Sequence, residues 1–173
     1  MTYGWGCIGT GKIAEAMSAQ LLHAGARRVA IASSTGRVVD DWLGFSANLT
    51  VEQLVARPDV DVVYVASGNV DHARHIELAL EAGKHVLGEK PLTMSQETAE
   101  PLYALASHKN RILMEGTFTA YLPGLEVLRM FRTHKASPTR VALHKQIGSH
   151  VTNHSTIGWN RAVGGGVYEP SRI

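Results

Sequence analysis

Six residues near the amino terminus, Gly9-Thr10-Gly11-Lys12-Ile13-Ala14, lie between an apolar stretch and a helical repeat, and that placement leaves few folds open to the chain. Before them, Tyr3 to Ile8 is short, apolar and rich in residues that suit strands. After them, Ile13, Met17, Leu21 and Ala24 recur at three- and four-residue steps, with Lys12, Glu15 and Gln20 on the other side, until Gly25 supplies a stop. Arg28 to Ser33 then reads as a second strand. Strand, glycine turn, helix and strand open a βαβ unit. In the pattern Gly9-x-Gly11-x-x-Ala14, Gly9 permits a tight turn and Gly11 lets backbone approach a pyrophosphate. Ala14 is small enough for the helix to lie against the strand. The helix amino terminus adds N–H donors and partial positive charge. The bare pattern also occurs at ordinary glycine turns; its position between strand and helix makes residues 9 to 14 a candidate cofactor-binding turn.

The alternation continues downstream. Thr50 reads as the N-cap of a helix, and Val60 to Ala66 is an apolar run of the kind buried inside a parallel sheet. Ile76, Ala79 and Leu80, with a stop at Gly83, predict another helix, and His85 to Gly88 another strand. Ser95 to His108 predicts a helix whose Pro101 displaces its start or kinks it, and Arg111 to Glu115 a further strand. Val38 to Phe45 and Leu122 to Phe131 suit helices, and Arg140 to Ile147 a strand, on weaker patterns. The expected fold is therefore α/β, a Rossmann-type doubly wound parallel sheet.

A chain of 173 residues can close one core with an appendage. Val60 to Ala66 is too short to span a bilayer and carries Asp61, so no membrane partner is expected. The amino terminus has no secretory pattern and the single cysteine, Cys7, fits a reducing compartment, giving a cytoplasmic expectation. In an apolar strand Cys7 reads as a small buried hydrophobe. Residues 1–102 carry 8 Lys/Arg against 12 Asp/Glu, whereas residues 103–173 carry 9 against 3. The positive residues of the second part are scattered, which argues for a solvated face over a nucleic-acid site. His144, His150 and His154 have no carboxylate or thiolate completing a set, so no metal is expected.

Two further places bear on chemistry. Dinucleotide folds that take NAD put a carboxylate at the end of the second strand, about 20 residues past the glycine turn. Here the chain reads Ser33-Ser34-Thr35-Gly36-Arg37. Two hydroxyls and an arginine without an acid lean to NADP over NAD, with Ser33, Ser34 and Arg37 as ribose-side candidates, although Arg37 equally suits an ordinary surface position. Glu89-Lys90-Pro91 ends a predicted sheet strand, where open α/β sheets collect ligands. A lysine there can donate to a substrate hydroxyl or carbonyl and serve proton transfer. On spacing alone the two charges also read as an exposed pair.

Several segments in order resemble one family. They are Gly4-Trp5-Gly6-Cys7-Ile8-Gly9-Thr10-Gly11-Lys12-Ile13-Ala14, Val62-Val63-Tyr64-Val65-Ala66, Asn69-x-x-His72, Glu81-Ala82-Gly83-Lys84-His85-Val86-Leu87-Gly88-Glu89-Lys90-Pro91-Leu92 and Leu113-Met114-Glu115-Gly116. Over the first two thirds of the chain these are similar to the glucose-fructose oxidoreductase / inositol dehydrogenase (Gfo/Idh/MocA) family, nearest its dihydrodiol and xylose dehydrogenase-like branch. The resemblance implies an NAD(P)-dependent oxidoreductase moving hydride between nicotinamide and a hydroxyl of a sugar, cyclic polyol or diol. It implies that Lys90 lies beside the nicotinamide and contacts the substrate hydroxyl. It also implies that Ser67, Asn69, His72 and Glu89 join the cofactor site.

The chain departs from the family's pattern at four places. Ser67-Gly68-Asn69 stands where Thr-Pro-Asn is common, the segment between the second and third predicted strands is short, and Ala120 replaces a frequent arginine. Gly164-Gly165-Gly166 resembles the glycine-rich start of a second domain, but Val167-Tyr168-Glu169-Pro170 follows where relatives lead through an Asp to a catalytic His or Tyr. Tyr168 aligns with that catalytic position only across a deletion. The expected organisation is an NAD(P)-binding domain over 1–118 and a partial substrate or oligomerisation domain over 119–173, with a homo-oligomer as a possible assembly. The alternative is a catalytically inactive nucleotide-binding remnant of such an enzyme.

Overall fold

In the computed structural model, which describes residues 2–33, 44–45 and 48–121, six parallel strands form one sheet in the order β3-β2-β1-β4-β5-β6. The strands are β1 (Gly4–Ile8), β2 (Arg27–Ala32), β3 (Asn48–Leu49), β4 (Val62–Val65), β5 (His85–Gly88) and β6 (Leu113–Glu115). Four helices connect them: α1 (Lys12–His23), α2 (Val51–Val55), α3 (His72–Glu81) and α4 (Gln96–His108). This is the Rossmann arrangement, in which the chain turns back at β1 and places β4 on its far side.

Side chains alternate between the two faces of the sheet. On one face Ile8, Val63, Val65 and Val86 meet α2, α3 and α4 through Leu54, Ile76, Leu80 and Leu102. Leu54, Ile76 and Leu80 are completely buried, each worth about 1.5–3 kcal/mol. On the other face Cys7, Ile31, Tyr64 and Ala66 meet Ala14 and Leu21 of α1. Cys7 is the buried small hydrophobe expected, and burial pushes its thiol up to about 12, out of reach of nucleophilic chemistry at neutral pH.

Helix boundaries follow their local signals. Thr50 caps α2 in a reciprocal box with Gln53, and Gly25 and Gly83 take positive φ after α1 and α3. Ser95 caps α4 through the Thr98 amide, so the start of that helix is not displaced; the helix runs through Pro101. The buried stripe of α1 differs from the expected one. Ala14, Ser18 and Leu21 face the sheet, while Ile13 is 48% exposed and Ala24 is exposed. The short strand β3 carries no two-residue period and was not among the predicted elements. The helices expected over Val38 to Phe45 and Leu122 to Phe131, and the strand over Arg140 to Ile147, lie wholly or mainly outside the described residues. No helix among the described residues is long and apolar enough to cross a membrane.

Candidate functional site

Backbone hydrogen bonds align the carboxyl ends of the strands along one edge of the sheet. Gly9 N–H donates to Ala32 O at 2.9 Å, Ala66 N–H to Ile8 O at 2.8 Å, Glu89 N–H to Val65 O at 2.8 Å and Gly116 N–H to Gly88 O at 2.7 Å. That single edge therefore gathers Gly9 to Ala14, Ser33, Ser67 to Asn69 and Glu89–Lys90, residues up to 81 positions apart in sequence by their numbers. Ser34, Arg37 and Tyr168 lie outside the described residues.

The glycine turn is shaped by what its residues lack. Gly9 has φ +121°, and a Cβ there would stand 2.3 Å from Ala66 O, so only glycine fits. Gly11 is the N-cap of α1 with extended backbone, and a Cβ on it would meet nothing within 4 Å among the described residues. Among the described residues no side chain caps the helix, which leaves its first N–H groups without a side-chain cap. Backbone donors, a helix positive end and an uncrowded approach together fit a pyrophosphate. Thr10 is half-buried, Lys12 and Ile13 are exposed, and Ala14, 1% exposed, packs under the strand as its size predicts.

The turn after β5 is shaped by side chains. Glu89 accepts from Tyr64 Oη at 2.8 Å and from the Lys90 amide at 3.2 Å. Burial, and then the Glu89 carboxylate, raise the Tyr64 phenol far above its ordinary value, so it remains a donor. The Lys90–Pro91 peptide is cis, and Leu92 N–H donates to Glu115 Oε1 at 2.9 Å. The Lys90 side chain is exposed.

After β4, Ser67-Gly68-Asn69 leads through a 3-10 turn, Asn69–Asp71, into α3. His75 is 2% exposed, its Nδ1 lies 2.8 Å from Ser67 Oγ, and burial pushes it below the ordinary histidine range. His72 is 1% exposed; its Nδ1 lies 2.8 Å from Pro91 O and its Nε2 3.1 Å from Ser67 O. Both of its ring nitrogens thus face backbone carbonyls. Tyr64, His75 and the Glu115 contact were not found by sequence reasoning as parts of this site. Tyr64 and Glu115 stood inside the quoted segments, and His75 gave no signal beyond its place on a helix.

On the α1 side of the sheet a recess of about 380 Å³ opens beside the crevice, lined by Ile13, Met17, Tyr64, Leu87, Met114 and Phe118 among others. Glu89 and Glu115 bring its only charged side chains among the described residues.

Comparison with known proteins agrees with this fold. The model of an oxidoreductase family with an NAD-binding Rossmann fold, Gfo/Idh/MocA, matches residues 3–117. The chain is 38% identical over 139 residues to D-xylose 1-dehydrogenase (NADP(+)) of Hypocrea jecorina, covering 70% of the chain and 36% of that relative. It is 29% identical over 143 residues to trans-1,2-dihydrobenzene-1,2-diol dehydrogenase of Xenopus tropicalis, covering 79% and 43%. A crystal structure of a 3-ketoreductase from Actinomadura kijaniata, in complex with TDP-benzene and NADP, superposes with a TM-score of 0.69 at 33% identity, covering 79% of this chain and 45% of that one. The chain thus spans less than half the length of these relatives.

Proposed function

The chain belongs to the Gfo/Idh/MocA oxidoreductase family, and we propose that it serves there as an NADP-dependent domain for hydride transfer to or from a sugar, cyclic polyol or diol. One observation carries this reading: the open glycine turn after β1 and the exposed Lys90 after β5 share the edge where the strand order reverses. The names of the xylose and dihydrodiol dehydrogenases support the substrate class, and the NADP in two of the relatives supports the cofactor form.

In this reading the backbone of residues 9 to 14 holds the pyrophosphate, and Ser33, with Ser34 and Arg37, accommodates the ribose 2′-phosphate. Ser67, Asn69 and Glu89 border the far half of the dinucleotide. A bound nicotinamide supplies or accepts the hydride. Lys90 donates an N–H to the substrate oxygen and orients it; its ammonium gives up a proton when a carbonyl is reduced, and its neutral amine takes one when a hydroxyl is oxidised. Tyr168 is the second proton-handling group we assign. Residues 1–118 form the cofactor domain and residues 119–173 begin the part that faces substrate and a second copy. Exposed Met114, Phe118 and Tyr121 at the exit of the sheet support that division.

Equilibrium dialysis against NADPH and NADH tests the first step, with tighter binding of NADPH expected; no binding of either at millimolar concentration would sink the reading. A panel of aldoses, cyclitols and trans-diols, followed by nicotinamide absorbance, tests the second, and Lys90→Ala should keep cofactor binding while losing turnover. A second reading, nucleotide binding without turnover by this chain alone, is favoured by the share of its relatives that it spans. Binding of NADPH with no absorbance change across the panel would decide for it.

A further inference from the structure

The crevice has two walls on its β4–β5 side that no backbone ladder joins: the loop Ser67–Asn69 after β4 and the turn Lys90–Leu92 after β5. His72, the first residue of α3, sits between them with 1% of its surface exposed. Its Nδ1 is 2.8 Å from Pro91 O, and its Nε2 is 3.1 Å from Ser67 O. A carbonyl oxygen only accepts, so the tie to the lysine turn requires an N–H at Nδ1. With the proton on Nδ1, Nε2 carries a lone pair and makes no hydrogen bond to the Ser67 carbonyl it faces; the ring is joined to the Ser67–Asn69 loop by the chain itself, which runs from Asn69 through one 3-10 turn into His72. On the other side of the same loop, Ser67 Oγ is held by His75 Nδ1 at 2.8 Å. The Lys90–Leu92 turn is otherwise fastened by Glu115 to the Leu92 amide and by Glu89 to the Lys90 amide. Neither of those two bonds reaches the β4 loop.

We propose that His72 is a positioning residue: through Nδ1–H to the Pro91 carbonyl it fastens the turn that carries Lys90 to the Ser67–Asn69 loop, and so sets the width of the nicotinamide half of the crevice. This rests on the reading of the crevice as the dinucleotide site. A group sealed from solvent with both nitrogens turned to backbone cannot itself touch a cofactor in this arrangement, so its influence passes through the two loops. The effect must also be one-sided. The glycine turn is built on β1 and α1, in the other half of the fold, and among the described residues no hydrogen bond joins it to His72. Losing the strap should therefore weaken ligands that fill the β4–β5 half and spare those that fill only the β1–β2 half.

The test compares NADPH with adenosine 2′,5′-bisphosphate, which lacks the nicotinamide, on the full chain and on two variants. His72→Phe keeps a ring but has no donor, whereas His72→Asn returns an amide N–H near the position of Nδ1. The expected result is that His72→Phe lowers NADPH affinity about tenfold, the scale of one lost hydrogen bond, and leaves adenosine 2′,5′-bisphosphate within about twofold. His72→Asn should recover NADPH binding to within about threefold of the unaltered protein. Equal losses for both ligands, or an asparagine variant as weak as the phenylalanine one, would reduce His72 to a packing residue and overturn the proposal. If the unaltered protein binds neither ligand, the dinucleotide reading fails first. The strap is then tested alone by amide resonances of Lys90 and Leu92, which must move in His72→Phe and return in His72→Asn.

Discussion

The two sides of the crevice are held open by opposite means. After β1 the chain uses absence: Gly9 has no Cβ because Ala66 O occupies its place, and among the described residues Gly11 leaves space free and no side chain caps α1. After β4 and β5 it uses side chains, with His72, Glu115 and the pair Tyr64–Glu89 gripping backbone or one another across 19 to 25 residues of sequence. A backbone site offers the same N–H groups whatever the pH, and suits a pyrophosphate common to every dinucleotide. A site placed by side chains can be moved by substitution, and suits the half where substrate and chemistry vary. That contrast can be broken at either side.

The largest effect is expected at Gly9. Gly9→Ala places a methyl 2.3 Å from the Ala66 carbonyl and strains a φ of +121°, costing roughly 3 kcal/mol or more in a urea midpoint. Two residues on, Gly11→Ala should behave in the opposite way. Its backbone suits any residue and its Cβ meets nothing among the described residues, so folding loses at most about 1 kcal/mol, the alanine-for-glycine difference at an N-cap. The same methyl would stand in the pyrophosphate approach and weaken NADPH about tenfold or more. A Gly11→Ala variant that binds NADPH normally would show that the turn is merely tight.

On the other side the effects are smaller because each contact is one of several. Tyr64→Phe deletes a buried hydroxyl bonded to Glu89 at 2.8 Å while the Lys90 amide still holds that carboxylate. About 1 kcal/mol of stability should be lost, with NADPH affinity changed by less than about threefold. A tenfold loss of affinity would mean that Glu89 itself, once released, alters the cofactor site.

These two sides were not equally legible in the sequence. The glycine turn could be read because its determinants are consecutive: a strand, two glycines at fixed spacing, a small residue and a helix. The strands β1, β2, β4, β5 and β6 were legible for the same reason, each being a local run, while β3 has only two residues and exists through its pairing with β2. Large apolar residues misled the reading of α1. Periodicity favours Ile13 for the buried stripe, but close approach of helix to strand selects Ala14 and Ser18, and Ile13 is left at the lip of the recess. Of the two effects expected of Pro101, a displaced start is excluded, since Ser95 secures the start of α4 upstream of it. The grip of His72 on Pro91 could not be read from spacing, because it depends on β4 and β5 lying side by side.

The smallest expected effect separates the sides by pH. His75, behind Ser67, is pushed below the ordinary histidine range by burial, the larger influence, while Asp71 opposes the shift. The folded ring thus stays neutral when the unfolded ring, titrating near about 6.5, takes up its proton. In that window the unfolded state binds more protons, so stability falls as pH drops below about 6.5 and stops falling once the folded ring also protonates. Urea midpoints at pH 7.5 and 5.5, compared between the natural protein and His75→Gln, isolate this slope from the carboxylates that titrate in both. The natural protein should lose more on acidification than the variant, and equal losses would mean that His75 is not held neutral by its burial. The glycine turn offers backbone N–H groups, which do not titrate there, so Gly9→Ala should cost the same at either pH. A single pair of conditions thereby asks which side of the crevice depends on protonation.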